Sequence, residues 1–376
     1  YVERTLRHAR FVVVRLLGGR AYWPYGLDAL LASAQANGTK LCVLPGDDKP
    51  DPGLDPYQTI ERADHDRLWH YLVEGGPENA MRFLRACRAL LTGGEMPTGA
   101  EPLPKAGRLE RASGGASPGM APTNPRPHVA IVFYRALLQS GQTGAIDSLC
   151  EAMRNEGLDT SAHYVASLKD EASIGHLRGA FAECPPDVVV NLTGFAVSSP
   201  GGKRRPTVLE EGGAVVLQAV LASGAEEAWL ASSQGLSARD LAMSVALPEI
   251  DGRVLSRAVA FKSGADWDSL TETDIVAHRP RPDRMAFVAA LAARWARLRR
   301  KPNRDKRIAI LLANYPNRDG RLGNGVGLDT PAGTIEVLSA MKTAGYGVGD
   351  VPEDGNALIE YLMEGPTNAG TAMRTI

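Results

Sequence analysis

Short runs of β-branched and other apolar residues, bounded by turn residues, recur along the chain. In several of them the apolar side chains occupy consecutive rather than alternate positions. Strands buried on both faces have this pattern, and such strands belong to parallel sheets covered by helices. The pattern predicts strands at Phe11–Gly18, Lys40–Leu44, Val129–Tyr134, Asp187–Leu192, Ala228–Ala231 and Arg307–Ala313.

Amphipathic helical segments lie between these runs. From Gly144 to Glu156, apolar side chains recur at helical spacing along one stripe, and Gly157 follows as a helix terminator. The segment 283–300 repeats the pattern. Alternation of strands and helices predicts right-handed crossovers. We therefore predict an α/β fold with two Rossmann-like, doubly wound open parallel-sheet domains and the start of a third.

Composition marks the domain boundaries. Residues 93–127 contain seven Gly and seven Pro, which predicts a linker or an ordered extended arm. The basic segment 298–307 lacks interleaved aromatic residues, so it is typical of a solvated helix end rather than a nucleic-acid patch. We predict a Rossmann-like head domain at 1–92, a second α/β domain at 128–300 and, at 306–376, the truncated start of a main-body domain.

Charge and cysteine usage narrow the function classes. Lys and Arg total 42 against 43 Asp and Glu, a balance that gives no nonspecific attraction to nucleic acid or to an anionic membrane. No stretch reaches the roughly 18 apolar residues that cross a bilayer, and the first residues do not form a secretory signal. The four widely spaced cysteines favour reduced, buried thiols in a cytoplasmic protein.

Several catalytic signatures are missing from the sequence. It has no Walker A motif, no glycine-spaced dinucleotide turn and no G-x-S-x-G elbow, so ATP binding, NAD binding and acyl transfer have no specific support. No two of the seven histidines stand at the i, i+4 spacing that would place both on one helical face. We expect no complete set of metal ligands in this chain.

Polar clusters follow the predicted strands, and ligands of doubly wound sheets collect at the carboxyl ends of strands. The loop 17–25 carries Arg20 and three aromatic residues, which could stack on a flat ligand or fill a domain interface. The loop 44–51 carries paired aspartates, which could hold a cation or simply form a turn. Both alternatives remain open for each loop.

Two further clusters offer uncharged hydrogen-bonding groups and an arginine-rich loop. The segments 134–143 and 191–199 would face the same end of one sheet, with side chains suited to carboxylate or carboxamide groups. The Gly-rich segment 313–329 could hold an anion or act as a flexible lid. The substrate-binding candidates are Tyr134, Gln139, Gln142, Thr143, Asn191, Thr193, Asn314, Arg318 and Asn324.

Five blocks of this sequence resemble the large subunit of cobaltochelatase (CobN type) and, more distantly, that of magnesium chelatase. The blocks occur in the family's order over nearly the whole chain. They are Val14–Tyr25, Leu44–Asp51, Ile131–Thr143, Thr193–Ser198 and Asn314–Pro331.

The resemblance implies the N-terminal part of a tetrapyrrole-binding subunit that receives Co2+ for insertion into hydrogenobyrinic acid a,c-diamide during aerobic cobalamin biosynthesis. It also implies an AAA+ ATPase complex as partner, with ATP and Mg2+ bound on those subunits and no cofactor on this chain. The family's metal-handling segments would lie beyond Ile376, so the catalytic groups stay unassigned and we expect this part alone to be inactive.

Two alternatives do not depend on the resemblance. Two α/β lobes joined by a linker are also typical of a module that binds or transfers a sugar or nucleotide-sugar in the cleft between them. A docking head that contacts a partner protein and binds no small molecule would have the same pattern. Titration with a tetrapyrrole discriminates between these interpretations.

Overall fold

The computed structural model describes residues 2–110, 126–313 and 322–365. The chain divides into two compact units, Tyr1–Ala293 and Arg294–Ile376. Two separate β-sheets lie within the first unit. The domain boundaries predicted from the sequence stay predictions. Within the described ranges, no helix has the length and apolar character that crossing a bilayer requires.

The first sheet has two parallel strands, β1 (Phe11–Leu16) and β2 (Lys40–Pro45). Both occupy positions predicted from the sequence. Helix α1 (Pro24–Asn37) connects them, and α2 (Arg62–Glu74) and α3 (Gly76–Thr92) follow. Two strands are fewer than a doubly wound sheet requires, so the prediction of two complete Rossmann-like sheets is not confirmed. Two-stranded sheets are marginal by themselves, and this one is stabilised by the buried side chains of its covering helices.

The second sheet has seven strands in the order β3-β5-β4-β6-β7-β8-β9. The five central strands are parallel, and the two edge strands β3 and β9 are antiparallel to their neighbours. This mostly parallel sheet confirms the α/β class. The strands are β3 (Ala106–Arg108), β4 (His128–Tyr134), β5 (Asp159–Val165), β6 (Val188–Asn191), β7 (Val215–Ala222), β8 (Val254–Asp268) and β9 (Thr273–Pro280).

Helices also cover this sheet, and the second unit contains α11 and α12. The predicted stripe on α5 is fully buried, because its apolar side chains recur at the helical period and face the sheet. The helices are α4 (Arg135–Gln139), α5 (Gly144–Asn155), α6 (Glu171–Glu183), α7 (Glu226–Ala231), α8 (Ala238–Leu241), α9 (Leu247–Ile250), α10 (Pro282–Arg300), α11 (Thr330–Thr343) and α12 (Gly355–Met363). A π-helical segment, Ala242–Ala246, joins α8 to α9.

Two predicted strands are wrong. Residues 228–231 belong to helix α7, where Glu226 and Glu227 occupy the first turn and favour a helix N-terminus. Trp229 of this helix packs against Phe261, so its apolar character reflects contact with the sheet rather than strand structure. Residues 307–313 pair with no strand among the described residues. Leu311 is 93% exposed, so this apolar run does not form the buried strand that the pattern predicts.

The described part of the Pro/Gly-rich segment, residues 93–110, runs as an extended arm. Tyr71 Oη donates to the carbonyl of Thr98 at 2.5 Å, and Asn79 Nδ2 donates to that of Glu101 at 2.8 Å. Further along, the arm adds β3 to the edge of the second sheet. These contacts hold residues 93–110 against the rest of the first unit. This part of the segment is therefore an ordered extended arm, one of the two structures that the composition predicts.

Candidate functional site

Three of the predicted substrate-binding residues meet at one edge of the seven-stranded sheet. Tyr134 ends β4 and Asn191 ends β6, and these two parallel strands are neighbours. Thr193 follows in the loop 193–198, which we call the rim loop. Tyr134 Oη donates to the carbonyl oxygen of Gly194 in this loop at 3.1 Å. The predicted juxtaposition of these two segments therefore exists in the structure.

A buried amide network forms the base of the rim loop. Asn191 Nδ2 donates to the Thr193 carbonyl at 2.9 Å and to Gln218 Oε1 at 2.8 Å. Thr193 Oγ1 donates to Asn191 Oδ1 at 3.0 Å. All three side chains are buried. Since their polar atoms bond to one another, Asn191 and Thr193 hold the loop in place; their predicted contact with substrate stays a prediction.

The π-helical segment fixes the middle of the rim loop. Phe195 N donates to the Met243 carbonyl oxygen at 2.7 Å. A Cβ on Gly194 would lie 2.8 Å from the same oxygen, so only glycine permits this approach. Phe195 adopts a φ of +62°, a backbone conformation that L-residues other than glycine rarely adopt. The surrounding contacts therefore hold this residue in a strained conformation.

A buried ion pair fixes the end of the rim loop. Asp251 accepts hydrogen bonds from Val197 N at 2.7 Å, from Ser198 N at 2.9 Å and from Arg253 Nη2 at 2.8 Å. Burial alone would raise the pKa of Asp251, but the backbone donors and the guanidinium outweigh it and lower that pKa. Burial lowers the pKa of Arg253. The carboxylate is thus ionised and tied to the loop.

A cavity of about 150 Å3 lies beside the rim loop, and we call it the rim cavity. Arg253 lines it, and the Nε of this arginine is buried without a hydrogen-bond partner in the part of the chain that the structure describes. Burial raises the pKa of Tyr134, so its hydroxyl stays protonated. The lining residues are Tyr134, Ser167, Leu168, Lys169, Gly194, Phe195, Ala196, Val197 and Arg253.

The rim cavity has the chemistry of an anion site. Asp251 neutralises the single charge of the Arg253 side chain, and Lys169 leaves the lining with one positive charge in excess. A buried N–H group without a partner is rare and carries a desolvation cost that an acceptor would remove. A carboxylate oxygen is a strong acceptor for a guanidinium N–H group. The cavity is therefore suited to a carboxylate on a short arm.

The other described candidates of the 134–143 segment lie away from the rim cavity. Gln139 Nε2 donates to the carbonyl of Val73 at 2.8 Å and joins α4 to α2. Gln142 Nε2 donates to the carbonyl of Val276 in β9 at 3.0 Å. Thr143 is buried at the start of α5. The structure therefore does not gather these three residues with Tyr134, and their predicted contact with substrate is untested.

The remaining candidates come from the Gly-rich segment. Asn314 and Arg318 lie outside the described residues. Asn324 lies in the second unit, in a turn region where Gly325 forms a bridge with Leu328. Their predicted role in anion binding stays a prediction.

The two loops of the first sheet have different surroundings. Tyr22 and Tyr25 of the aromatic loop are exposed, so they fill no interface among the described residues. Arg20 donates to Tyr57 Oη at 2.6 Å. In the second loop Asp51 accepts from Gly53 N at 2.9 Å, which is turn chemistry. Asp47 likewise accepts from Lys49 N at 3.2 Å. These two aspartates therefore form local turns, and the cation-binding alternative for the loop stays a prediction.

Arg253, Lys169 and Asp251 line or support the rim cavity but were not predicted. The sequence signal for the pair is weak, because Asp251-Gly-Arg253 has the composition of an ordinary turn. Only the fold brings Arg253 to Thr193, 60 positions earlier in the chain. Lys169 follows β5, a strand that the pattern of apolar residues does not predict.

Comparison with known proteins identifies similar chains. The sequence model described as CobN/Magnesium Chelatase matches residues 69–375. The aerobic cobaltochelatase subunit CobN of a Sinorhizobium species is 53% identical over the whole chain and 30% of its own length. The corresponding subunit of Pseudomonas aeruginosa is 41% identical over 98% of the chain and 30% of its own length.

More distant similarity extends to a magnesium-chelatase subunit of Chlorobaculum parvum, which is 27% identical over 62% of the chain and 18% of its own length. A solved structure, the catalytic subunit of cobaltochelatase from Mycobacterium tuberculosis, superposes with a TM-score of 0.70 at 30% identity. The superposition covers 96% of the present chain and 30% of the solved cobaltochelatase chain. The present chain thus spans about 30% of the length of the cobaltochelatase subunits it matches.

Proposed function

Because the chain belongs to the CobN/magnesium chelatase family, we propose that it is part of a subunit that inserts a metal ion into a tetrapyrrole. The finer proposal is that the ion is Co2+ and the acceptor hydrogenobyrinic acid a,c-diamide. Insertion would be driven by ATP on an AAA+ partner complex. The names of the similar proteins, which are cobaltochelatase and magnesium-chelatase subunits, support metal insertion as the activity.

Arg253 lines the rim cavity and has a buried Nε without a hydrogen-bond partner among the described residues, and this observation links the chain to such a substrate. We propose that the cavity binds one peripheral carboxylate of the tetrapyrrole. At about 30 Å3 per water-sized group, 150 Å3 accommodates about five heavy atoms. That is the size of a carboxylate with its short alkyl arm, whereas the macrocycle itself would lie outside.

In this proposal the chain binds and orients the substrate but does not insert the metal. Insertion removes pyrrole protons and strips water from the ion, so it needs a base and groups that desolvate the metal. We assign none of these to the chain, and we propose that it is inactive by itself. We also propose the cytoplasmic location expected from the sequence. The prediction of four buried thiols is correct for Cys42 and Cys150, whereas Cys87 is half-buried and Cys184 is exposed.

The proposal is tested by titrating the full-length protein with metal-free corrinoid and following the absorbance of the ring. Lys169→Met and Tyr134→Phe each remove a polar group from the rim cavity while keeping the size of the side chain. We expect Lys169→Met to weaken binding about tenfold, the equivalent of about 1.4 kcal/mol for a charge-assisted hydrogen bond. The control is Lys301→Met, which removes an exposed lysine outside the cavity.

A substrate in which the peripheral carboxylates are amidated sharpens the test. If the cavity binds a carboxylate, amidation weakens binding to the native protein and has little further effect on Lys169→Met. Native affinity in both cavity variants would contradict the proposal. The sugar-binding module and the ligand-free docking head are not favoured, because the similar proteins are chelatase subunits.

A further inference from the structure

A second polar cavity, of about 400 Å3, lies at the other end of the seven-stranded sheet. Tyr134 of the rim cavity is the last residue of β4, and His128 of this second cavity is the first. Strand β5 and helix α6 supply most of the remaining lining. The polar lining includes Arg108, His128, Ser161, His163, His176, Glu183 and Cys184.

Five of these side chains form one continuous row of hydrogen bonds. Cys184 Sγ lies 3.4 Å from His128 Nδ1, and His128 Nε2 lies 2.9 Å from Ser161 Oγ. Ser161 Oγ lies 2.9 Å from His163 Nε2, and His163 Nδ1 lies 3.1 Å from His176 Nε2. If each group donates to the next, every hydrogen bond is satisfied. In this tautomer the lone pair of His128 Nδ1 faces the Cys184 sulfur; the His128 ring also hydrogen-bonds to the backbone of Pro185.

The separation of sulfur and nitrogen suits a shared metal ion. Metal–sulfur and metal–nitrogen bonds of about 2.3 and 2.05 Å at a tetrahedral angle place the two ligand atoms about 3.6 Å apart. The observed 3.4 Å between Cys184 Sγ and His128 Nδ1 differs from this by about 0.2 Å. The hydrogen bond from His128 Nε2 to Ser161 orients the ring, as the outer partners of metal-bound histidines do.

Charges of both signs surround this pair. Burial raises the pKa of the Cys184 thiol; the guanidinium of Arg108 opposes this shift, and the carboxylates of Asp159, Glu183 and Asp187 add to it. Cys184 also follows the C-terminus of α6, a helix of 13 residues, where the helix dipole favours positive charge.

We propose that Cys184 and His128 form a two-residue site for a divalent transition-metal ion of borderline softness, Co2+ or Zn2+. Binding replaces the thiol proton by a metal–sulfur bond and releases that proton to solvent. Among the residues that the structure describes, no three His, Cys, Asp or Glu side chains surround one point. Water in the 400 Å3 cavity would therefore complete the coordination, and the ion would exchange readily.

This inference is independent of corrinoid binding at the rim cavity, and it is tested with metal alone. The reduced chain is titrated anaerobically with Co2+ while thiolate-to-cobalt charge-transfer absorption is recorded in the near ultraviolet. We expect one equivalent to produce this band. Cys184→Ser removes the band, and His128→Gln weakens binding at least tenfold. Cys87→Ser is the matched control, because Cys87 lies outside this cavity and should leave the titration unchanged.

A second measurement on the native chain keeps the test decisive if a variant folds poorly. Zn2+ should slow alkylation of Cys184 in the native chain at least tenfold, measured by mass spectrometry of the labelled peptide, with no variant needed. Absence of a charge-transfer band in the native chain, or its persistence in Cys184→Ser, overturns the proposal. Unprotected alkylation of Cys184 at saturating Zn2+ overturns it as well.

Discussion

Replacing Asp251 by Asn should destabilise the first unit strongly. The native carboxylate accepts three hydrogen bonds, two from the backbone of the rim loop and one from Arg253. The Asp251→Asn side chain has nearly the same shape but carries no charge and has one acceptor oxygen instead of two. It therefore leaves the guanidinium of Arg253 buried without a counter-charge and at least one rim-loop N–H without its acceptor.

The magnitude follows from burial. The Asp251 and Arg253 side chains are 0% and 1% exposed, and breaking a buried pair by removing one partner costs about 3–5 kcal/mol. The pair Arg178–Glu211 provides the comparison, because it is bidentate at 2.8 and 2.6 Å but its side chains are 59% and 40% exposed. Exposed pairs contribute about 0–1 kcal/mol.

The assay is urea unfolding of the chain at pH 7, followed by tryptophan fluorescence and circular dichroism. Asp251→Asn should lower the free energy of unfolding by about 3–5 kcal/mol, and the control Glu211→Gln should lower it by no more than about 1 kcal/mol. The double variant Asp251→Asn/Arg253→Met should recover part of the loss, since no uncompensated charge remains. Equal effects of Asp251→Asn and Glu211→Gln would refute the reasoning.

The same carboxylate predicts a pH dependence. The folded-state pKa of Asp251 is lowered, so it lies below the unfolded value of about 3.9. Its contribution to stability is therefore fully present above about pH 4 and is lost as pH falls through the folded-state pKa. Unfolding free energies measured between neutral and acidic pH should fall less steeply for Asp251→Asn than for the native chain. Identical slopes would contradict this assignment.

Two further substitutions test the rim loop and the core. Gly194→Ala places a methyl group 2.8 Å from the Met243 carbonyl, so we expect a loss of about 1–3 kcal/mol in urea unfolding together with weaker corrinoid binding; unchanged values for both would contradict the described packing. Leu149→Ala, in the fully buried stripe of α5, should cost about 2–5 kcal/mol without changing corrinoid affinity, and a loss below about 1 kcal/mol would contradict its burial.

The parallel strands that are apolar throughout were predictable from sequence. Strands β1, β2, β4 and β6 all occupy predicted positions, because burial on both faces leaves a continuous apolar run. The run Val215–Ala222 has the same character and was missed, although it becomes β7. Strand β5 was not predicted because it contains Ser161 and His163, whose polar atoms are satisfied partly by each other and partly by His128 and His176.

The candidate site was predictable only in part, for a physical reason. Tyr134, Asn191 and Thr193 follow strands that could be identified, and carboxyl ends of neighbouring parallel strands meet at one edge. Arg253 belongs to no recognisable sequence motif. Its position depends on the ion pair with Asp251 and on its contact with Thr193 of the rim loop. Periodicity reports which face of an element is buried, but it carries no information on which buried polar groups find one another.

The buried amide network beneath the rim loop fixes the loop through side chains other than Ser167 and Lys169, which line the cavity. Asn191, Thr193 and Gln218 satisfy one another, so the shape of the loop does not depend on any bound molecule. Ser167 and Lys169, by contrast, enter the cavity from the separate segment after β5. On the proposed function, substitutions in that segment would alter which acidic arm is accepted while the supporting scaffold stays intact. Relatives could then diverge towards different macrocycles one side chain at a time without losing the fold.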